Sequence, residues 1–379
     1  MTISLTTPTR HAGLREIADV LRDEQKRKLD VVAPASGIRA EGGRLVIDDT
    51  EHELTPDGVT STPGAFRPTG VAEAGLAEKL GIPTGYLRKT RIEAPELWDS
   101  NVNGWLARRT DKSFMVRTLR PGNGEDGNVA RAFLSNGYRI IDNLDVLTAA
   151  LEGITSAGVA VRIDSCDLTD RKMYVRVVAD EIRAYAPELL RNYRSPFNGA
   201  TGADNPTVFA GFEISNSETG CGAFRIVPRL VVQVCNNGMT ITRDAMKSVH
   251  VGGRQDDGVI QWSDQTQTRT LELVTSQTAD AVRCFLDRNY ITRHLRSIEE
   301  KSTTRITDPE ATITNVSQKL KFTEDRRRDI FAHFIQGADL SAGGVMHAVT
   351  SVAQTLPDAD EAAELESLGI RAMELAASL

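Results

Sequence analysis

The stretch that most constrains this chain is one apolar run, Ala223–Val234, held between two clusters of turn-forming residues. These are Asn216-Ser217-Glu218-Thr219-Gly220 and Cys235-Asn236-Asn237-Gly238-Met239. Asn tolerates left-handed backbone, Ser bonds nearby amides, and Gly supplies positive φ, so each cluster reads as a tight turn at a strand end. Thr207–Ser215 forms the strand before the first cluster. Two strands joined by such a turn make a hairpin, and the middle of the chain therefore reads as antiparallel sheet.

The flanking segments extend this pattern. Ser113–Leu119 and Val129–Leu134 read as strands around a Pro121–Gly124 turn, Asn143–Ala157 as a helix ending at Gly158, and Val159–Ile163 and Met173–Val178 as further strands. Upstream, Val71–Leu80 is a helix capped by Thr69 and stopped by Gly81-Ile82-Pro83. His11–Val32 has helical spacing, Ile38–Ile47 is a hairpin around Glu41-Gly42-Gly43, and Asp48–Pro68 reads as a linker. One long helix is expected over Thr266–Glu300, with several more to Leu379. The fold class is α+β: a mostly antiparallel sheet packed with helices, one of them long, plus a helical C-terminal region. The expected division is an N-terminal helix/hairpin appendage and linker over 1–68, an α+β core over 69–300 and a helical region over 301–379.

Composition enters chiefly as exclusion. Net charge is −7, so the chain as a whole is no generic polyanion binder. Its four cysteines include no C-x-x-C pair and its six histidines no H-x-x-x-H, so no metal and no cofactor is expected. The chain has no apolar leader and no 18-residue apolar run, which predicts no membrane span. Together with widely spaced thiols, this points to the cytoplasm, the host's if the chain is phage-encoded. There is no Walker A pattern. Gly122, Gly124 and Gly127 fall in a turn between strands, not in a strand-to-helix turn, which argues against a dinucleotide-binding domain.

Local charge runs against the global balance. Between Arg171 and Arg254, eleven Lys and Arg stand against seven Asp and Glu, and Tyr185, Tyr193 and Phe197 interleave with Arg183, Arg191 and Arg194. Arginines with aromatics are the equipment for gripping phosphates and stacking unpaired bases. A solvated charged face over core aromatics is the structural alternative. A second row, Arg283, Arg288, Arg293 and Arg296 with His294, lies on the long helix, where intrahelical ion pairs are the structural alternative. Two bond-making readings are open in principle: Cys235 as nucleophile with His250 as base, and Glu218 as general acid or base. No sequence feature supplies an oxyanion hole or a second carboxylate for them.

Further elements have a recognisable order. They are Leu80-Gly81-Ile82-Pro83 with Tyr86, Asn103-Gly104-Trp105-Leu106, Arg117-Thr118, and Arg131-Ala132-Phe133-Leu134-Ser135 with Tyr138 and Asp142-Asn143. With Asn216, Ser217, Glu218, Gly220, Cys235, Asn236, Asn237 and Gly238 they resemble a phage/plasmid-like family catalogued as a domain of unknown function. The resemblance covers Thr69 to Thr355, and Gly344–Thr350 lacks the tryptophan usual in that family. It implies a gene neighbourhood of DNA processing in phages, prophages and conjugative plasmids, and no stated activity.

The first functional expectation is a phage- or plasmid-type DNA-metabolism protein that binds single-stranded DNA, in recombination annealing strands without ATP as a homo-oligomer. Its contacts would be Arg183, Arg191, Tyr193, Arg194, Arg225 and Arg229, with Arg117, Arg131, Tyr138 and Arg139 in a second tier. The alternative is a protein-interaction module, such as an inhibitor of a host defence protein. A cofactor-free hydrolase using Glu218, Cys235 and His250 is the third.

Overall fold

A computed structural model describes residues 9–55, 58–121, 127–138, 141–235, 238–248 and 264–379. In chain order, β1 (Thr9–Ala12), α1 (Leu14–Arg27) and β2 (Lys28–Pro34) precede a meander of β3 (Ile38–Glu41), β4 (Arg44–Thr55) and β5 (Gly58–Pro68). Helices α2 (Gly70–Leu80), α3 (Thr84–Glu93) and α4 (Pro95–Leu106) lead to β6 (Ser113–Leu119), β7 (Asn128–Ser135) and α5 (Asn143–Ala157). Next come β8 (Arg162–Leu168), β9 (Met173–Tyr185), the single turn α6 (Pro187–Leu190), β10 (Thr207–Asn216), β11 (Phe224–Val232), β12 (Gly238–Thr240) and β13 (Met246–Ser248). The remainder is helical: α7 (Asp264–Phe285), α8 (Arg288–Ser302), α9 (Pro309–Leu320), α10 (Glu324–Gln336), α11 (Ala342–Thr355), α12 (Ala359–Ser367) and α13 (Gly369–Ala377).

The architecture is α+β with two sheets. One runs β1-β8-β9-β10-β11-β12, with β13 also on β11; the other runs β2-β6-β7-β5-β4-β3, antiparallel except for β5 on β7. The first carries the larger core, shared with α5, α7, α8, α11 and α13; the second carries a smaller one under α2, α3 and α4. Alternation along the strands explains the first core. Val175 and Val177 on β9, Phe212 and Ile214 on β10, and Ile226 and Leu230 on β11 point to one face and are fully buried. Each such side chain contributes roughly 1.5–3 kcal/mol of burial. The intervening residues, Tyr174, Arg176, Glu213, Arg225 and Arg229, give the opposite face an ionic character. Helix α5 meets α7 closely because Gly153 leaves no Cβ where the Thr275 carbonyl would be 2.5 Å away.

Several expectations hold as stated. Thr69 caps α2 by accepting from the Ala72 amide at 3.1 Å, and Gly81 ends the helix at φ 73°. Gly158 ends α5 at φ 70°. Others need correction. Residues up to 68 are not an appendage: β1 pairs with β8 in the first sheet, β2 with β6 and β5 with β7 in the second. The segment read as a linker is the β4–β5 hairpin, whose Thr-rich stretch suits strands as well as loops. The helix expected to reach Val32 stops at Arg27, where Leu29 and Val31 pair with β6. The long helix is broken at Asp287, whose side chain caps α8 by accepting from the Tyr290 amide.

Candidate functional site

The first turn cluster closes a buried ionic network between the sheets. Glu218, just beyond β10, meets Arg131 of β7 at 2.6 Å and accepts the Asn143 amide at the start of α5 at 2.8 Å. Arg117 of β6, with no solvent exposure, donates to both carboxylate oxygens of Asp30 on β2 at 3.1 and 3.0 Å, to Asp142 at 2.6 Å and to the Glu218 carbonyl at 2.8 Å. Lys28 also pairs with Asp142. Burial alone would lower the Arg117 pKa, but Asp30, Glu218 and Asp142 reverse this and hold the guanidinium firmly charged. Burial likewise opposes ionisation of Asp142, and Arg117 and Lys28 outweigh it, so its pKa is lowered. Glu24 of α1 lies 3.4 Å from Arg131, but desolvation exceeds that attraction and pushes its pKa up to about 7.

The rest of the cluster completes this clasp. The Asn216 amide group donates to the Ile141 carbonyl and to Asn143, and Ser217 accepts the Cys221 amide. Gly220 sits at φ 85°, and a Cβ there would fall 2.7 Å from Leu134. Backbone geometry and packing thus both demand glycine. Arg117, Arg131 and Glu218 hold the two sheets together, and this corrects the expectation that the arginines face a ligand. Tyr138 lies beside the clasp, its phenol pKa raised to about 12 by burial. With Gly220 and Cys221 it lines a cleft of about 1030 Å³ between α2 and the start of α12. Charge there is mixed: Arg10, Lys79, Arg88 and Arg171 face Glu78, Asp170, Asp358, Asp360 and Glu361.

A second ionic layer covers the outer face of the first sheet. Arg176 pairs with Asp167 and, across the β9–β10 register, with Glu213 at 3.1 Å. Arg229 donates to both oxygens of Glu366 on α12, at 2.5 and 3.0 Å, and is itself buried. Desolvation raises the Glu213 pKa, opposed by Arg176. It would raise that of Glu366 too, but Arg229 overrides it and the pKa is lowered. The Arg229 guanidinium lies where a Cβ on Gly238 would be, which explains the glycine of the second turn cluster. Arg229 is therefore an interior residue, a second correction. So is Tyr193, which stacks on His347 with ring centroids 4.2 Å apart, burial holding that imidazole down at about 4. Arg225 is half-buried in a pocket of about 440 Å³ under α12, its Nε without a partner among the described residues.

Cys235 is buried at the start of the second turn cluster. His250, Asn236, Asn237 and Arg139 lie outside the described residues. Among the described residues, no group of three His, Cys, Asp or Glu is placed to hold a metal ion.

The exposed cations gather elsewhere. The C-terminal end of β9 and helix α8 form a groove of about 370 Å³ lined by Arg183, Tyr185, Arg288, Thr292, Arg296 and Glu299, with Ile291 and Leu295 at its base. Arg183, Arg288 and Arg296 are exposed and have no carboxylate partner among the described residues, and Tyr185 is 68% exposed. Glu299, the groove's one acidic side chain, accepts the α6 amides of Glu188 and Leu189 at 3.1 and 3.4 Å. Its charge is thus partly absorbed by a helix start. Arg191, just beyond α6, is exposed and paired with Glu188, and Arg194 is exposed.

Of the expected contacts, only Arg183 enters this groove. Tyr185, Arg288 and Arg296 complete it. Arg288, Thr292 and Arg296 recur at i, i+4, i+8, and that spacing alone puts them on one helix face.

No family model, no curated protein and no solved structure matches the chain. Among the described residues, no helix is long and apolar enough to cross a membrane.

Proposed function

We propose that the chain binds single-stranded nucleic acid along the β9–α8 groove. The observation that carries this reading is the company of Arg183, Arg288 and Arg296: three exposed guanidinium groups, none neutralised by a carboxylate among the described residues, beside a protruding tyrosine. Guanidinium groups match phosphate geometry, and each neutralised phosphate releases condensed counterions. Tyr185 offers a π-face to an unpaired base, which a paired and stacked base cannot use. The chemistry is positional and electrostatic, with no bond made or broken.

The phage/plasmid-like resemblance supports DNA of a mobile element as the ligand. In that setting the protein anneals complementary strands without ATP as a homo-oligomer. Fluorescence-anisotropy titration with labelled single strands and duplex, at two salt concentrations, tests the reading. Single strands are expected to bind more tightly than duplex, with affinity falling as salt rises. No binding at low salt, or a preference for duplex, would overturn it. Accelerated pairing of complementary strands in the absence of ATP, with a mass in solution above that of one chain, tests the annealing step.

A further inference from the structure

Helix α8 has a groove on each side. Arg288, Thr292 and Arg296 face the first. His294, Ser297, Ile298 and Lys301 face a second of about 280 Å³, closed by Thr242 and by Ser367, Arg371 and Glu374 of the C-terminal helices. The inner side of α8 is the core face, with Ile291, Leu295 and Ile298 buried. Its outer side is exposed. At 3.6 residues per turn, Arg293 falls between Arg296 and Lys301 around that outer side. It is exposed and, like Arg371, has no carboxylate partner among the described residues. Cations therefore run from one groove, over the crest of α8, into the other, with the exposed Glu300 among them.

The acidic residues along this line are few and mostly occupied. Glu299 holds the α6 amides, and Glu374 pairs with Lys301 at 2.7 Å. Glu300 alone stands exposed near the crest. The second pocket also presents the hydroxyls of Ser297 and Thr242, donors suited to phosphate oxygens. Its floor is apolar, made by Ile241, Ile298, Ile370 and Met373.

Resting on the single-strand reading above, we infer that the bound strand crosses α8. It leaves the groove at Arg296, passes Arg293 on the crest and places a further phosphate at Arg371 in the second pocket. A helix with its side chains is about 10–12 Å wide, so a strand confined to the first groove does not reach Arg371. The site is thus divided by length: a short oligonucleotide uses Arg183, Tyr185 and Arg288, and only a longer one uses Arg293 and Arg371.

The test compares oligothymidines of about 4 and about 16 nucleotides, the range of ordinary single-strand site sizes. It uses the full chain, the double variant Arg293→Ala/Arg371→Ala and the groove variant Arg183→Glu. The double variant should bind the short probe like the parent, weaken for the long one, and reduce the salt slope by about 1.4, about 0.7 per phosphate contact. Arg183→Glu should weaken both lengths. If Arg183→Glu weakens both lengths while the double variant binds the long probe with the parental slope, the crossing is overturned and the groove stands. If the parent binds neither probe, or Arg183→Glu binds both like the parent, the groove reading fails and the crossing with it. Unchanged thermal melting of both variants confirms that the weakening is local.

Discussion

Arg117 and Arg183 carry the same side chain in opposite situations. Arg117 has no solvent exposure and answers to Asp30, Asp142 and the Glu218 carbonyl; Arg183 is exposed on the wall of a groove, with no carboxylate partner among the described residues. Arg131, Arg176 and Arg229 belong with the first, Arg288 and Arg296 with the second. A guanidinium in the interior needs compensating acids, because burying an unpaired charge costs several kcal/mol. A guanidinium meant for an outside phosphate must lack such acids, or the ligand has to displace them. What sorts the arginines of this chain into clasp and contact is therefore the carboxylates around them, not their number.

That sorting predicts opposite consequences of mutation. The largest effect is expected in the clasp. Glu218→Ala leaves Arg131 without its closest acid and the Asn143 amide without its carboxylate acceptor, and should cost roughly 3–5 kcal/mol, read as a lower urea midpoint. A decrease under about 1 kcal/mol would mean that solvent compensates there and that the clasp differs little from the groove.

A second effect tests the clasp through pH. The Glu24 pKa of about 7 lies above its ordinary 4.5, so between those values the fold keeps a proton that the unfolded chain has released. The contribution of Glu24 to stability is then greatest below pH 4.5 and is lost as pH rises through 7. Asp142, with a lowered pKa, acts only below the ordinary carboxylate range and does not overlap this window. Parent and Glu24→Gln should therefore diverge with pH. Relative to the variant, the parent loses up to about 3 kcal/mol between pH values of about 5 and 8, while the opposite change from His347, held down at about 4, is common to both. Parallel pH profiles would contradict the assignment.

In the groove the order reverses, with binding affected and stability spared. Tyr185→Ala should remove about 1–3 kcal/mol of single-strand affinity if its ring stacks on a base. Its melting temperature should stay unchanged, since the ring is 68% exposed. The smallest effect belongs to Arg191, already paired with Glu188 at the surface. Arg191→Ala should shift stability by no more than about 0.5 kcal/mol, because exposed pairs of this kind contribute little.

Much of the framework was legible in sequence because its signals are local. The Thr69 and Gly81 caps, the Gly158 stop and the paired turn clusters depend on neighbours within a few residues. The N-terminal strands were not legible, because β2 and β5 owe their state to pairing with β6 and β7, far along the chain. The same limit governed the site. Arg117 and Arg229 looked like contacts because Asp30, Asp142 and Glu366, which neutralise them, are distant in sequence. Arg288 and Arg296 looked like a solvated helix face until β9 was placed opposite them. Of the two signature glycines, Gly220 lies in a turn as read, whereas Gly238 opens β12 and pairs with Val231. That Gly238 also makes room for Arg229 is visible only in three dimensions.

The central claim, that unpaired arginines mark the ligand surface, is tested most directly by one paired measurement on Arg183→Glu/Arg296→Glu. Single-strand affinity and thermal melting are read on the same sample. The account predicts a melting temperature indistinguishable from the parent and a salt slope lower by at least about 1.4, because two phosphates are no longer neutralised. Parental affinity and slope in the double variant would contradict it.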